Sequence, residues 1–167
     1  HTQTQENLFM TTSKAAVIVT GAASGIGRAI TERLANAQQP VVAADLDEDT
    51  LAWTHEYENV RPLAGDISDD NSNQALVNFA LAEFGAVGGA VFNAASFVGG
   101  PLLSTTHQDL DRLLAVNLRA VVLGMQSVVP VLKQQQGGAI CVTASCGGIL
   151  ADASSPVYCQ RLTTVNM

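Results

Sequence analysis

A glycine-rich run at residues 20–27 has the residue types and the spacing that bind a phosphate group. It reads Thr-Gly-Ala-Ala-Ser-Gly-Ile-Gly, with glycines at Gly21, Gly25 and Gly27. A tight turn from a strand into a helix needs residues that tolerate positive φ, and a backbone that approaches a pyrophosphate closely leaves no room for bulky side chains. The free N–H groups and the dipole of the following helix then face the phosphates. A glycine-rich turn without a ligand is the alternative interpretation, and the position between a strand and a helix favours nucleotide binding.

Asp45 is a second candidate, because it follows the apolar run 41–44 and lies 24 residues beyond Gly21 (45 − 21). A carboxylate at the end of the second strand can accept hydrogen bonds from the adenine ribose hydroxyls. The same charge would repel a 2′-phosphate, so NAD is predicted in preference to NADP. The alternative is that Asp45 only starts the acidic loop 45–49. Arg28 could pair with a phosphate, or it could be solvated at the start of its helix.

These residues need a scaffold in which strands and helices alternate, and the chain has that pattern from residue 15 onward. Five short apolar segments predict strands at residues 15–20, 41–44, 61–64, 89–93 and 139–143. Parallel strands joined by right-handed helical crossovers close into a doubly wound sheet, and ligands bind at the carboxyl ends of its strands. The predicted fold is therefore α/β, a Rossmann-type parallel sheet in a three-layer α/β/α arrangement.

The first helix is predicted to begin near Ser24 and to end near Ala37. Its apolar residues Ile26, Ile30 and Leu34 are spaced so that one face of the helix would pack on the sheet. The strand, the glycine turn and this helix would form the first half of the nucleotide-binding unit.

Polar residues that cap helices precede the later helical segments. Asp47 and Asp69 are predicted N-caps of the second and third helices, and Thr106 followed by Asp109 resembles a capping box. A long apolar helical pattern then continues as far as Lys133 before a pair of glycines ends it.

The composition of the 167-residue chain restricts its function. Hydrophobic residues make up 47% and charged residues 14%, which predicts one domain with a buried sheet. The net charge of −7 gives no cationic field for nucleic acid or anionic lipid.

No apolar run reaches the ~20 residues that cross a bilayer, and no signal-like segment begins the chain, so a cytoplasmic protein is expected. The three cysteines lack Cys-x-x-Cys spacing, so neither a disulfide framework nor a metal site is expected. Residues 1–9 are tag-like or disordered, and residues 10–167 are expected to form the domain.

With these residues in view, the chain resembles the short-chain dehydrogenase/reductase family from Lys14 to Met167. Residues 20–27 match the family's Thr-Gly-x-x-x-Gly-x-Gly motif fully. Asp66 matches the family aspartate that contacts the adenine amino group, and residues 92–95 resemble its Asn-Asn-Ala-Gly element with Phe for the first Asn and Ala for the Gly. The resemblance implies an NAD(P)-binding domain, whose cofactor-binding residues we predict to be Gly21, Ser24, Gly25, Ile26, Gly27, Asp45, Leu46, Asp66, Ile67, Asn93, Ala94 and Ala95.

The resemblance also implies three catalytic residues. Asn117 matches the family's helix asparagine, whose backbone carbonyl holds a water in the proton relay. Ser145 and Tyr158, 13 residues apart (158 − 145), fit the family's catalytic pair. Two such hydroxyls would bind a carbonyl oxygen, with Tyr158 as general acid and base during hydride transfer. From the residues alone, Asn117 could mark a local bend satisfied by water, Ser145 a polar loop and Tyr158 a helix–sheet boundary.

Two departures from the family's pattern bear on catalysis. The family has Lys four residues after the tyrosine, whereas this chain has Leu162, which carries no charge. Arg161 could supply a cation from the neighbouring position, in a different geometry. The chain also stops at Met167, so it looks truncated at its C-terminus, with a fifth strand left unpaired along one edge. A fragment is the favoured explanation, and a partner chain that completes the sheet is the alternative.

Three functions are compatible with these features. The first is an NAD(H)-dependent oxidoreductase that interconverts a secondary alcohol and a ketone, with that small molecule as partner. The second is a catalytically impaired family member that binds NAD(H) in a regulatory or assembly role. The third is a structural subunit. The resemblance implies a homo-oligomer, a dimer or a tetramer, with the helix after Asn117 in the interface.

Overall fold

The computed structural model of the chain describes residues 15–150, 152 and 154–159. The predictions for residues 1–9, for Arg161 and for Leu162 lie outside the described residues. That residues 10–167 form a single domain stays a prediction.

Five parallel strands form one sheet, in the order β3-β2-β1-β4-β5. The order reverses beside β1, which pairs with β2 on one side and with β4 on the other. Such a switch point leaves a crevice at the carboxyl ends of the two strands. The predicted doubly wound parallel sheet is confirmed, with the strands β1 (Ala16–Thr20), β2 (Val41–Asp45), β3 (Val60–Ala64), β4 (Val87–Phe92) and β5 (Ala139–Val142).

Helices cover both faces of this sheet, so the predicted three layers are present. The α-helices are α1 (Gly25–Asn36), α2 (Asp70–Phe84), α3 (His107–Leu114) and α4 (Ala120–Gln134). A π-helical turn (Ala115–Arg119) joins α3 to α4, and 3₁₀ turns occupy Asp49–Glu56, Leu102–Ser104 and Cys146–Gly148.

Alternate residues along the strands supply two separate cores. Ile18 of β1 and Val42 of β2 point to the face that α2 and α4 cover. Val19 and Val41 of the same strands point to the face covered by α1 and the first 3₁₀ turn, where Leu51 is buried. Because every strand between the edges is buried on both faces, the strands read as continuous apolar runs in the sequence.

Two of the predicted caps are confirmed. The Asp69 carboxylate accepts a hydrogen bond from the Ser72 N–H at the start of α2. Thr106 and Asp109 form the predicted capping box at the start of α3, with reciprocal side-chain and backbone hydrogen bonds. The hydroxyl and N–H of Thr106 hold the pKa of the Asp109 carboxyl below its ordinary value of 3.8.

The prediction for Asp47 is wrong, because its segment forms a 3₁₀ turn rather than an α-helix. That turn begins at Asp49 with Glu48 in the capping position, and Glu48 makes no side-chain cap bond. The Asp47 carboxylate instead accepts a hydrogen bond from the Asp49 N–H, 3.0 Å away, ahead of the turn. The Thr50 hydroxyl also donates to the Asp47 carbonyl, so local hydrogen bonds engage Asp47 before the turn begins.

The expected orientation of Ile26 is also wrong, since this side chain is 62% exposed. The residues of α1 that are buried against the sheet are Gly27, Thr31 and Ala35. Small residues let the helix lie close to the strands, and the Thr31 hydroxyl bonds to the Gly27 carbonyl at 2.9 Å. Ile30 and Leu34 pack at the side of this contact.

Within the described residues, the continuous helix His107–Gln134 is long and apolar enough to cross a membrane by length and composition. A core helix of a water-soluble protein passes the same test. In this fold the helix packs against α2 and β4.

Phe92, at the end of β4, occupies the position where the family has an asparagine. Its ring is buried in the core beneath α4, against Gly124. A Cβ on Gly124 would approach the ring to 2.9 Å at Cζ, and closer still at Cε1. The absence of a side chain at Gly124 therefore makes room for the phenylalanine.

We expect Gly124→Ala to lower the free energy of unfolding by about 1 kcal/mol or more. Overpacking typically costs about 1–3 kcal/mol, which exceeds the gain of up to ~1 kcal/mol from replacing a helical glycine. Urea denaturation checks this. Gly137→Ala is the control, since no atom lies within 4 Å of its added Cβ, and equal stability of the two variants would contradict the packing assignment.

Candidate functional site

A cavity of about 700 Å³ opens at the carboxyl ends of the strands. Residues that follow each of the five strands line it, as expected for a doubly wound sheet. Two predicted site residues, Gly27 and Asn117, are not among the residues that line this cavity. The predicted site residues in the lining are Gly21, Ser24, Gly25, Ile26, Asp45, Leu46, Asp66, Ile67, Asn93, Ala94, Ala95, Ser145 and Tyr158.

The glycine loop has backbone dihedral angles that residues with side chains rarely adopt. Gly21 and Gly25 have φ values of +69° and +55°. A Cβ on Gly21 would lie 2.8 Å from the Ala94 Cα, and one on Gly27 would collide with the Gly21 carbonyl. The turn is therefore closed tightly on itself and on the end of β4.

The first turn of α1 offers backbone donors to the cavity. Amide groups in the first turn of a helix have no intrahelical partner, and the Ser24 side chain forms no cap hydrogen bond with them. The amides of Gly25 and Ile26 therefore remain available where both residues line the cavity. An anionic group placed there would gain these hydrogen bonds and the favourable end of the helix dipole.

The Thr20 hydroxyl joins the end of β1 to the end of β4. It accepts hydrogen bonds from the N–H groups of Asn93 and Ala94 at 3.0 and 3.2 Å, and it donates to the Val91 carbonyl at 3.4 Å. The side chain is 1% exposed, so water cannot replace these contacts. The two backbone segments that border the cavity are thereby held in one relative position.

Asp45 ties the end of β2 to the glycine loop. One carboxylate oxygen accepts from the Ala23 N–H at 2.8 Å, and the other accepts from the Leu46 N–H at 2.8 Å. A carboxylate has about four acceptor sites, so each oxygen keeps capacity for a ligand hydroxyl. Asp45 is thus an oriented acceptor on the cavity wall and is not merely the start of an acidic loop.

The cavity beside β3 has one wall from a strand end and one from a helix. Asp66 and Ile67 follow β3, and the Asp66 carboxylate accepts from the Ser68 N–H at 2.8 Å. Val116 and Arg112 face them from the α3 segment. Sequence reasoning missed these two residues, although their i, i+4 spacing ahead of Asn117 places them on one helix face.

Asn117 lies in the π-helical turn, and its buried side chain holds the loop after β4. The amide oxygen accepts from the Ser96 N–H, and the amide nitrogen donates to the Ser96 carbonyl, each at 2.6 Å. Backbone groups of Ser96 thus satisfy the amide, which the alternative interpretation of a local bend had assigned to water. The relay role of the Asn117 carbonyl stays a prediction.

Ser145 and Tyr158 border the cavity at the β5 end. The Ser145 hydroxyl accepts from the Gly147 N–H at 3.2 Å. Tyr158 lies in a helical turn that starts after the Asp152 carboxylate, which accepts from the N–H and hydroxyl of Ser154 and from the hydroxyl of Ser155. The Ser154 N–H first, and then these hydroxyls, hold the pKa of the Asp152 carboxyl below its ordinary value of 3.8.

The arrangement suits an extended ligand with an anionic centre and a reactive oxygen at one end. Backbone donors lie beside β1, carboxylates beside β2 and β3, and hydroxyl groups beside β5. Among the described residues, no group of three or more His, Cys, Asp or Glu side chains could hold a metal ion.

Comparison with known proteins agrees with this geometry. A family model described as short chain dehydrogenase matches residues 15–160. The chain is 32% identical over 142 residues to levodione reductase of Leifsonia aquatica, which covers 80% of this chain and 53% of that protein. It is 34% identical over 138 residues to a diacetyl reductase of Staphylococcus epidermidis, covering 78% of this chain and 53% of that protein.

A solved structure with the same fold is a short-chain dehydrogenase/reductase from Burkholderia phymatum in complex with NAD. The TM-score is 0.86 at 32% sequence identity, and the match covers 92% of this chain and 57% of that one. The chain therefore spans little more than half the length of these relatives.

We expect Thr20→Val to destabilise the protein and to weaken nucleotide binding. Two partly buried backbone amides would lose their acceptor, and loss of a hydrogen bond of this kind costs about 1 kcal/mol. Thr20→Ser is the matched control, because it keeps the hydroxyl and loses only a methyl group. Thermal unfolding and NAD titration of both variants check this, and equal behaviour of Val and Ser would contradict a bridging role for the hydroxyl.

Proposed function

Because the chain belongs to the short-chain dehydrogenase/reductase family, we propose that it supplies the nucleotide site and the acid/base residue of a nicotinamide-dependent oxidoreductase. The reaction is the interconversion of a secondary alcohol and a ketone by hydride transfer. One observation carries the proposal: the amides of the glycine loop at Gly25 and the Tyr158 side chain border the same cavity.

The shape and chemistry of the glycine loop fit a dinucleotide diphosphate. A side chain at Gly21 or Gly27 would collide with backbone, so the loop leaves its amides bare at the start of α1. The exposed apolar side chains of Ile26 and Leu46 border the cavity, where a flat base or sugar would cover them. The residues we propose to hold the cofactor are those predicted from the sequence, together with Val116.

Within that site, each polar residue has a distinct role. Asp45 accepts hydrogen bonds from the adenosine ribose, and Asp66 accepts from the adenine amino group. Asn93, Ala94 and Ala95 line the same cavity as Ser145. The Asn93 side chain accepts a hydrogen bond from the Thr143 hydroxyl at the β5 end at 3.1 Å, so this part of the cavity would receive the nicotinamide end. Bound NAD would accept the hydride that leaves the alcohol carbon, and NADH would return it.

We further propose NAD rather than NADP. Asp45 presents a negative charge to the ribose position, and its hold on the Ala23 N–H keeps it there. Arg28 does not offset that charge, because it pairs with Glu32 at 2.8 Å and stacks over Trp53 at 4.7 Å. A 2′-phosphate would therefore lie next to the Asp45 carboxylate. The Arg28 guanidinium would not be available to pair with that phosphate, because Glu32 and Trp53 already engage it.

Ser145 and Tyr158 act on the reacting oxygen in this proposal. Ser145 donates a hydrogen bond to it, and Tyr158 takes the hydroxyl proton during oxidation or gives it back during reduction. Asn117 contributes its backbone carbonyl to the proton path. With a secondary alcohol, loss of a hydride and of this proton leaves the ketone.

Leu162 supports a second candidate function, a family member with impaired catalysis that binds NAD(H) in a regulatory or assembly role. A lysine in that position would stabilise an ionised tyrosine, and leucine cannot.

The cytoplasmic location and the homo-oligomer expected from the sequence are also proposals. The free edge of β5 among the described residues would suit further pairing.

We expect Asp45→Ala to raise the Kd for NAD about tenfold or more, since hydrogen bonds to a charged group contribute about 1.5–3 kcal/mol. The Kd for NADP should change less or fall, because repulsion of the 2′-phosphate is removed. Asp47→Ala is the control, with the same charge change in the same loop. Calorimetric titration with both cofactors measures the ratio, and an unchanged preference in Asp45→Ala would refute the NAD assignment.

The oxidoreductase proposal predicts that the chain binds NAD and reduces it with secondary alcohols. Leu162→Lys should raise kcat about tenfold or more, because each unit by which a cation shifts the tyrosine equilibrium is a factor of ten. The measurement is NADH absorbance with a panel of secondary alcohols, after NAD binding has been titrated.

Leu162→Met is the control for this experiment, since it keeps the side chain apolar and uncharged. Binding of NAD without turnover, in both the unaltered chain and Leu162→Lys, would favour the regulatory or assembly role. A chain that binds no NAD would overturn both functions and favour a structural subunit.

A further inference from the structure

Phe97 presents an exposed aromatic ring beside Tyr158. The ring centroids are 5.0 Å apart with an interplanar angle of 69°, an edge-to-face arrangement. The Phe97 side chain is nevertheless 62% exposed. The ring also lies against Gly99, where an added Cβ would come within 3.2 Å of its Cε1. An aromatic side chain that still leaves most of its surface open can contact a further aromatic or apolar group.

Hydrogen bonds hold both ends of the short segment that carries this ring. Before it, the backbone of Ser96 makes two hydrogen bonds of 2.6 Å with the buried Asn117 side chain. After it, the Gly100 N–H donates to the Ser154 carbonyl at 2.7 Å. Ser154 belongs to the turn that leads into the Tyr158 helix, so ring and phenol are held by one connected set of backbone contacts.

Two loops that each contribute one residue to the cavity lining, Ser96 and Ser145, are otherwise mostly apolar and uncharged. Residues 96–104 and 145–150 contain no Asp, Glu, Lys or Arg. They do contain five of the large hydrophobic side chains that the described structure exposes, namely Phe97, Leu102, Leu103, Ile149 and Leu150. Exposed apolar side chains favour an apolar partner. Charged residues on this side of the described structure include Arg112 in the cavity lining and Asp152, whose carboxylate is engaged by Ser154 and Ser155.

We propose that Phe97 is a specificity-determining residue that forms an aromatic wall of the substrate site. It selects secondary alcohols and ketones that carry a flat, uncharged aromatic ring on the reacting carbon. This inference rests on the proposed function, because it takes Tyr158 as the group that binds the reacting oxygen. A substrate ring would pack against the free face or edge of Phe97 while its oxygen meets the tyrosine hydroxyl.

A purely structural role for Phe97 predicts a different pattern of effects. If the ring only supported Tyr158, its removal would weaken all alcohols equally. If it forms a wall, its replacement by an aliphatic side chain would weaken aromatic alcohols selectively. Two alcohols with the same number of carbon atoms, 1-phenylethanol and 2-octanol, separate the two roles.

The test uses the full chain saturated with NAD and measures the Kd of each alcohol by ligand-observed NMR. Phe97→Leu keeps the side chain large and apolar, and we expect it to weaken 1-phenylethanol about five- to tenfold, in line with the usual strength of aromatic pairs. Binding of 2-octanol should change less than twofold. Val122→Ala, which alters an exposed residue of α4 outside the cavity lining, should leave both alcohols within twofold.

Equal weakening of both alcohols by Phe97→Leu would overturn the inference, and so would failure of the unaltered NAD-bound chain to bind 1-phenylethanol. Because the readout is binding, a chain that binds NAD but lacks turnover contradicts the oxidoreductase proposal without affecting this measurement. A chain that binds no NAD overturns the two proposals together. Where turnover occurs, the ratio of kcat/KM for the two alcohols should fall by the same factor in Phe97→Leu.

Discussion

The site depends on the close approach of the glycine loop to the backbone at the end of β4. Gly21 lies against Ala94, and Gly27 lies against the Gly21 carbonyl, in spaces that no side chain could share. The hydroxyl of the buried Thr20 then fixes the distance through two hydrogen bonds to the β4 end. The start of α1 follows directly after the glycine loop. The contact between this loop and the end of β4 therefore determines where the unpaired N–H groups of the first turn of α1 point.

The long helix formed by α3 and α4 extends that rigid unit to the far side of the cavity. Burial of the Asn117 amide would be costly unless its hydrogen bonds were made, and the Ser96 backbone makes both of them. The π-helical turn at Asn117 accompanies this contact. One polar side chain in an apolar helix thus ties the helix to the loop that carries Phe97. The same helix accommodates the unusual Phe92 by presenting Gly124 to its ring.

Local sequence signals predicted the elements well where the determining contacts are local. All five strands lie within two residues of their predicted starts, and the caps at Asp69 and Thr106 form as expected. The predictions for Asp47 and Ile26 failed for different reasons. The Asp47 carboxylate is engaged by the Asp49 N–H, and the eight residues Asp49–Glu56 form a 3₁₀ turn in place of an α-helix. The spacing of Ile26 predicted the helix correctly but not which of its faces packs on the sheet. That face is decided by the close approach of Gly27 and Thr31 to the strands.

The sequence by itself determined the alternation of strands and helices, the glycine turn and the acceptor at Asp45, because each depends on residues that are close along the chain or on backbone freedom specific to glycine. Only the tertiary structure decided which side chains share the cavity. Arg112 and Val116 line it together with Asp66 and Ile67, and Phe97 packs on Tyr158 beside it, although these segments are far apart in the sequence. Such contacts follow from the order of the strands and the packing of the helices, which no local pattern specifies.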